Sequence, residues 1–162
     1  MKRAIYAGSF DPMTKGHWNV VEQAIKVFDE IIIGIGENPT KKRLFSIPET
    51  ISIIEESLQL RAWDHIFVEP FDGVLMRFAQ TRRCDAVIRG LRQISDFGDE
   101  FTQHGVNTRI STIPMVYFIC ENEFLHVSSS TAKTMASYGE RIDWLVDPHV
   151  ERSMAAKYKE ME

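Results

Sequence analysis

The sequence predicts an α/β protein: one domain built on a doubly wound, Rossmann-like parallel sheet of five strands, with helices on both faces. Three observations carry this reading. Short apolar runs alternate with helical periodicities along the whole chain. The run Glu30-Ile31-Ile32-Ile33-Gly34-Ile35 is apolar without a break, as a parallel strand covered on both faces has to be. And Arg3-Ala4-Ile5-Tyr6-Ala7 passes through a short polar stretch directly into Trp18, Val21, Ile25 and Phe28 at helical spacing, a strand–turn–helix unit.

The turn of that first unit runs from Gly8 to His17. Gly8 is expected to let the backbone bend sharply as it leaves the strand. Thr14 is placed to cap the helix, with Pro12 stiffening the approach, so that Gly16 and His17 are its second and third residues. A helix start presents free N–H groups and the positive end of the dipole, which attract phosphate. Gly16 leaves room for close approach, and His17 can donate to a phosphate oxygen.

After the Ile31–Ile35 strand comes a polar loop, Gly36 to Phe45, carrying Lys41, Lys42 and Arg43. Ser46-Ile47-Pro48-Glu49 has capping-box spacing and opens a second helix with Ile51, Ile54 and Leu58 on its buried stripe. Ile66-Phe67-Val68 is a third strand. A third helix carries Val74, Leu75, Phe78 and Ala79 and ends near Arg83. Ala86-Val87-Ile88 is a short fourth strand, and Arg89-Gly90-Leu91-Arg92 reads as the turn that follows it. A polar helix covers Asp96 to Arg109, and Met115–Ile119 is the fifth strand. Ser128 caps a helix running to about Tyr138, so hydroxyls fill its first three positions, and a C-terminal helix begins at about residue 148.

The right-handed βαβ rule puts all strand C-termini on one edge. Gly8–His17, Lys41–Arg43, Arg89–Arg92 and Ser128–Thr131 therefore converge in a pocket with two helix starts, several cations and an imidazole, suited to a polyphosphate. The chain has 162 residues and a net charge of −4, which argues against a general nucleic-acid binder. No apolar run has membrane-spanning length and the start lacks a signal-peptide stretch, so no membrane partner is expected. Cys84 and Cys120 lack metal-type spacing and are expected as reduced, half-buried thiols; His65, His104, His126 and His149 suggest no metal site.

With these residues on the page, the chain resembles the nucleotidyltransferase superfamily, through Thr14-x-Gly16-His17 and the Ser128–Thr131 helix start. Within it the chain is similar to the bacterial phosphopantetheine adenylyltransferase family. That likeness rests on Tyr6–Pro12, Pro39-x-Lys41-Lys42, Ile88–Arg92, Asp96-Phe97 with Glu100, and Val127–Ser130. The resemblance implies adenylyl transfer from ATP to 4′-phosphopantetheine, giving dephospho-coenzyme A and pyrophosphate, the penultimate step of coenzyme A synthesis. It also implies Mg²⁺, a cytoplasmic location and a homohexamer. It assigns catalysis to His17, Lys41 and Arg92. It places Ser9, Phe10, His17, Gly90, Leu91, Arg92, Glu100, Phe124, Val127, Ser128, Ser129 and Ser130 at ATP, and Ser9, Lys41, Leu75 and Arg89 at the acceptor. Gly98-Asp99 stands where relatives carry an aromatic, Ala7 and Ser9 replace the commoner Pro and Thr, and Lys133 falls where the wider superfamily often has a basic residue. A sister transferase with nicotinate mononucleotide or a polyol phosphate as acceptor, and a non-catalytic nucleotide-binding module, are the alternatives.

Overall fold

The computed structural model describes residues 1–37 and 42–161. Its five strands are β1 (Arg3–Gly8), β2 (Glu30–Gly36), β3 (Ile66–Phe71), β4 (Ala86–Leu91) and β5 (Met115–Ile119). They form one parallel sheet in the order β3-β2-β1-β4-β5. Between and after them lie helices α1 (Lys15–Ala24), α2 (Ile47–Arg61), α3 (Leu75–Thr81), α4 (Ile94–Ile110), α5 (Ser129–Ser137) and α6 (Pro148–Glu160). A single 3₁₀ turn, Asn122–Phe124, follows β5.

The two-residue period of the strands sorts their side chains into two cores. Ala4, Tyr6, Ile31, Ile33 and Ile35 pack under Trp18, Val21 and Ala24 of α1 and Ile54 and Leu58 of α2. Ile5, Ala7, Ile32 and Val87 point the other way, to Met76 and Ala79 of α3 and to Cys84. A third cluster joins Phe45 and Val127 to α5, α6 and the strap Ile142–Asp147 that leads into α6. The two faces of the sheet are closed to solvent: Ile5, Ile31, Ile33, Val87 and Ile88 are each 0 % exposed.

Winding reverses at β1, because β2 and β3 add on one side of it and β4 and β5 on the other. The β1–β4 pairing stops at Tyr6 and Ile88, whereas β1 stays paired with β2 to Gly8 and β4 with β5 to Leu91. The strands part where ligands bind in open α/β sheets.

Three expectations about local structure change. β4 runs on through Leu91, so Arg89 and Gly90 lie within a strand rather than a turn; the ladder to β5 holds them extended. α1 stops at Ala24, four residues before Phe28, which is nevertheless buried against the same core. Both cysteines are buried rather than half-buried, and burial pushes the Cys84 thiol up to about 11. α4 stands apart from the rest: none of its described side chains is buried, and Ile94, Phe97, Phe101 and Val106 face outward.

Candidate active site

The crevice between the parted strands is a cleft of about 340 Å³. Its floor is the end of β1, its walls are Arg89 and Gly90 of β4 and the first turn of α1, and the Val127–Ser130 helix start closes it.

Thr14 caps α1 in an extended conformation (φ −115°, ψ 168°), and His17 is the third helical residue. The Thr14 N–H donates to His17 Nδ1 at 3.0 Å, and Thr14 Oγ1 lies 3.0 Å from the same nitrogen. A backbone N–H can only donate, so Nδ1 accepts and the neutral ring carries its proton on Nε2. The ring lies edge-on to Phe10, with centroids 5.2 Å apart. Burial, and secondarily the charge of Arg92, push its pKa down to about 4. His17 is thus a neutral, oriented N–H donor at the cleft, not a cation.

The glycines work differently from their sequence reading. Gly8 does not need a left-handed conformation; Phe10 takes it, at φ 44°. A Cβ on Gly8 would meet the Phe10 ring at 3.1–3.4 Å, so the missing side chain makes room for that ring. A Cβ on Gly16 would lie 3.4 Å from Val127 O and 3.6 Å from Phe124 O, ordinary contact distances, so protein packing alone does not demand a glycine there. A Cβ on Gly90 would sit 2.8 Å from Val20 Cγ2.

The cations separate into bound and structural ones. Arg92 reaches Val127 O at 3.3 Å and lies 3.6 Å from Asp96, with over a third of its side chain exposed. Arg89 is paired with Glu100 of α4 and also touches Ala7 O at 3.3 Å, bridging the crevice. Arg43 turns away from the cleft to hold Ser9 O and Thr50 Oγ1, both at 2.9 Å. Lys41 lies outside the described residues.

Asp11 is a site residue that the sequence reading missed. It is 4 % exposed and accepts from Leu44 N–H and Phe45 N–H at 2.9 Å and from Lys133 Nζ at 3.2 Å. It therefore fastens the far end of the polar loop and α5 to the catalytic turn. Nothing local marks an Asp in a polar stretch as such a hub; its partners are 33 to 122 residues away. Ser129 Oγ adds a second link, donating to Pro12 O at 2.7 Å, while Ser128 Oγ caps α5 by accepting from Thr131 N–H at 3.0 Å.

Ser9, Phe10, His17, Arg89, Gly90, Arg92, Glu100 and Val127–Ser130 all line the cleft, joined by Tyr6 and Lys133. Leu75, Leu91 and Phe124 do not. Leu75 packs against the α3 core, Leu91 is buried at the end of β4, and Phe124 wedges between the α1 and α5 cores. Hydrophobic burial outcompetes a wet pocket for all three side chains.

A doubly wound sheet with an oriented imidazole, exposed arginine and a hydroxyl-rich helix start at its switch point defines a nucleotidyltransferase. A family model described as cytidylyltransferase-like matches residues 5–135. Phosphopantetheine adenylyltransferase of Carboxydothermus hydrogenoformans is 34 % identical over 160 residues, 98 % of each chain. The enzyme of that name from Syntrophomonas wolfei is 37 % identical over 158 residues, 97 % of each. The chain belongs to the phosphopantetheine adenylyltransferase family. In fold it is also similar to a putative nicotinate-nucleotide adenylyltransferase from Vibrio parahaemolyticus (TM-score 0.66, 17 % identity, 99 % and 97 % of the two chains).

Proposed function

We propose that the chain, acting as one nucleotidyltransferase domain over residues 1–162, transfers the adenylyl group of ATP to 4′-phosphopantetheine, yielding dephospho-coenzyme A and pyrophosphate. Family membership over nearly the whole chain supports the chemistry and the acceptor. The observation that carries the mechanism is the Nε2–H tautomer of His17, fixed by the Thr14 amide.

A phosphate monoester is already nucleophilic near neutral pH, so no strong base is required. Two anions must instead be brought together and charge on the α-phosphoryl group must be met. A phosphate oxygen of the acceptor attacks the α-phosphorus in line, the α–β bridging bond breaks, and pyrophosphate departs with its electron pair. His17 donates to the α-phosphoryl oxygen as charge builds there. Being neutral, it does so without binding the ground-state triphosphate strongly. Arg92 supports the departing pyrophosphate, Arg89 and Lys41 hold the acceptor phosphate, and Ser128–Ser130 receive the nucleotide.

Among the described residues no group of three or more His, Cys, Asp or Glu could hold a metal ion. Of the cleft's carboxylates, Asp11 is engaged with backbone amides and Lys133, while Glu100 gives one oxygen to Arg89 and keeps the other buried without a partner among the described residues. A Mg²⁺ would find the Ser9 hydroxyl among the cleft's lining groups to help hold it, and would supply neutralisation of triphosphate charge.

The outward apolar row Ile94, Phe97 and Phe101 on α4 supports self-association, proposed here as a homohexamer. No helix of the described residues is long and apolar enough to cross a membrane, and the location is proposed as cytoplasmic.

Pyrophosphate release with ATP and Mg²⁺ tests the reading. Turnover with 4′-phosphopantetheine and none with nicotinate mononucleotide or a polyol phosphate is expected. The reverse preference makes the chain a sister transferase, and ATP binding without turnover makes it a binding module.

A further inference from the structure

The strap Ile142–Asp147 lies behind the catalytic turn, and no step of the reaction uses it. Two hydrogen bonds join it to the first residue of α1. The Lys15 N–H donates to Leu145 O at 2.9 Å, and Lys15 Nζ to Asp143 O at 2.6 Å. Lys15 is two residues before His17, so the strap ends against the same helical turn that carries the imidazole. It also takes up one of the helix-start N–H groups that would otherwise be available to an anion.

The strap is itself anchored. Ile142 and Leu145 are at most 1 % exposed. Arg61, at the end of α2, donates to both oxygens of Asp147, at 2.8 and 3.0 Å, and Ser57 Oγ donates to Asp147 Oδ2 at 2.9 Å. The same Arg61 guanidinium lies over the Trp18 ring, 4.4 Å from its centroid. Trp18 immediately follows His17. The first turn of α1 is thus gripped from behind at residue 15 by the strap and at residue 18 by the group that anchors the strap.

We propose that Arg61 and Asp147, acting through the Leu145 carbonyl, are positioning residues for His17: they set the angle at which α1 presents the imidazole to the α-phosphoryl group. The proposal rests on the adenylyl-transfer reading for its kinetic readout but not for its spectroscopic one. Neither residue touches substrate. Ser57–Asp147–His149 looks like a hydrolase triad by composition, but Asp147 bonds Ser57 rather than His149, and His149 Nε2 lies 3.1 Å from both Ser57 Oγ and the Ile53 carbonyl. That carbonyl needs the ring proton, which leaves no base for the serine.

A proline at the first helical position tests the link directly. Lys15→Pro removes the N–H that reaches Leu145, while proline is favoured at that helix position and Thr14 is already extended, as a residue before proline must be. Lys15→Ala keeps the N–H and controls for the lost ammonium. Relative to Lys15→Ala, Lys15→Pro is expected to lower kcat roughly tenfold to a hundredfold, with KM for ATP nearly unchanged. Arg61→Lys keeps the charge but loses the two-pronged grip and should move kcat the same way, and it decides the matter if Lys15→Pro does not fold. Met76→Ala, in the core on the opposite face, should lower Tm but leave kcat of the folded enzyme alone.

The second readout needs no acceptor. His17, packed by Tyr6 and Phe10 and facing Arg92, should titrate closer to an ordinary histidine in Lys15→Pro than in Lys15→Ala, followed by NMR of the ring. Equal kcat and equal His17 titration in the two folded variants would overturn the proposal. A wild-type protein that shows no turnover overturns the adenylyl-transfer reading instead, and the titration then decides the strap alone.

Discussion

Arg89 turns both Nε, at 2.8 Å, and Nη2 onto a single oxygen of Glu100, and the other oxygen, Oε2, stays buried with no partner among the described residues. A guanidinium proposed to hold a phosphate is thus occupied by a carboxylate from α4, a helix with no buried side chain among its described residues. The acceptor's phosphate has to compete with that carboxylate. Glu100→Gln is therefore expected to tighten acceptor binding roughly fivefold, the equivalent of about 1 kcal/mol of relieved competition. Titration calorimetry with 4′-phosphopantetheine reads this directly. Arg89→Lys should weaken the same binding, because a planar fork is replaced by a point charge. Unchanged binding in both variants would remove Arg89 from the acceptor site.

His17→Ala should cut kcat by roughly 10²–10³, as loss of a donor that acts chiefly in the transition state does elsewhere. The Kd of ATP should move far less. Because the pKa of the ring is about 4, kcat should show no acid limb from His17 between pH 5.5 and 7.5. A fall in kcat as the pH rises through that range, absent in His17→Gln, would mean that the ring works as a cation.

The same depressed pKa links stability to pH. The folded site refuses a proton until the pH nears 4, whereas the unfolded chain accepts one at about 6.5. The unfolded state therefore gains protons first, and stability contributed by neutral His17 is present above pH 6.5 and is lost as the pH falls toward 4. Denaturant midpoints measured from pH 7 to pH 4.5 should fall less steeply in His17→Gln than in the wild type.

Gly90→Ala places a methyl 2.8 Å from Val20 Cγ2. Valine has little rotameric freedom in a helix, so the clash is expected to cost about 1–3 kcal/mol and to push α1 away from β4. Val20→Ala in the same chain should recover part of the loss, and a double-mutant cycle on Tm and kcat measures the coupling. Independent, additive effects would show that the two residues do not press on each other.

Much of the architecture was legible because its signals are local. The Ile31–Ile35 run, the Thr14 cap, the Ser46–Glu49 capping box and the Met115–Ile119 strand are each written within a few residues. What escaped was set by distant partners. β4 extends through Arg89 and Gly90 because β5 pairs with them. Arg43 reads as one of three loop cations, yet Ser9 and Thr50 claim it. Arg89 and Glu100 were legible as site residues separately, but not as a pair, since nothing in the sequence says which turn of α4 faces β4. Phe10 in a left-handed conformation was invisible because glycine, not phenylalanine, is the usual marker of it.

The early end of the β1–β4 ladder at Tyr6 and Ile88 has one more consequence. The hollow belongs to the winding of the chain and not to the side chains that furnish it. Stripping out the imidazole would leave the groove between the strands in place, with the sheet core beneath it intact. A version silenced at His17 should therefore remain a good receptacle for intact ATP, and it offers a way to watch a loaded, uncommitted complex at rest.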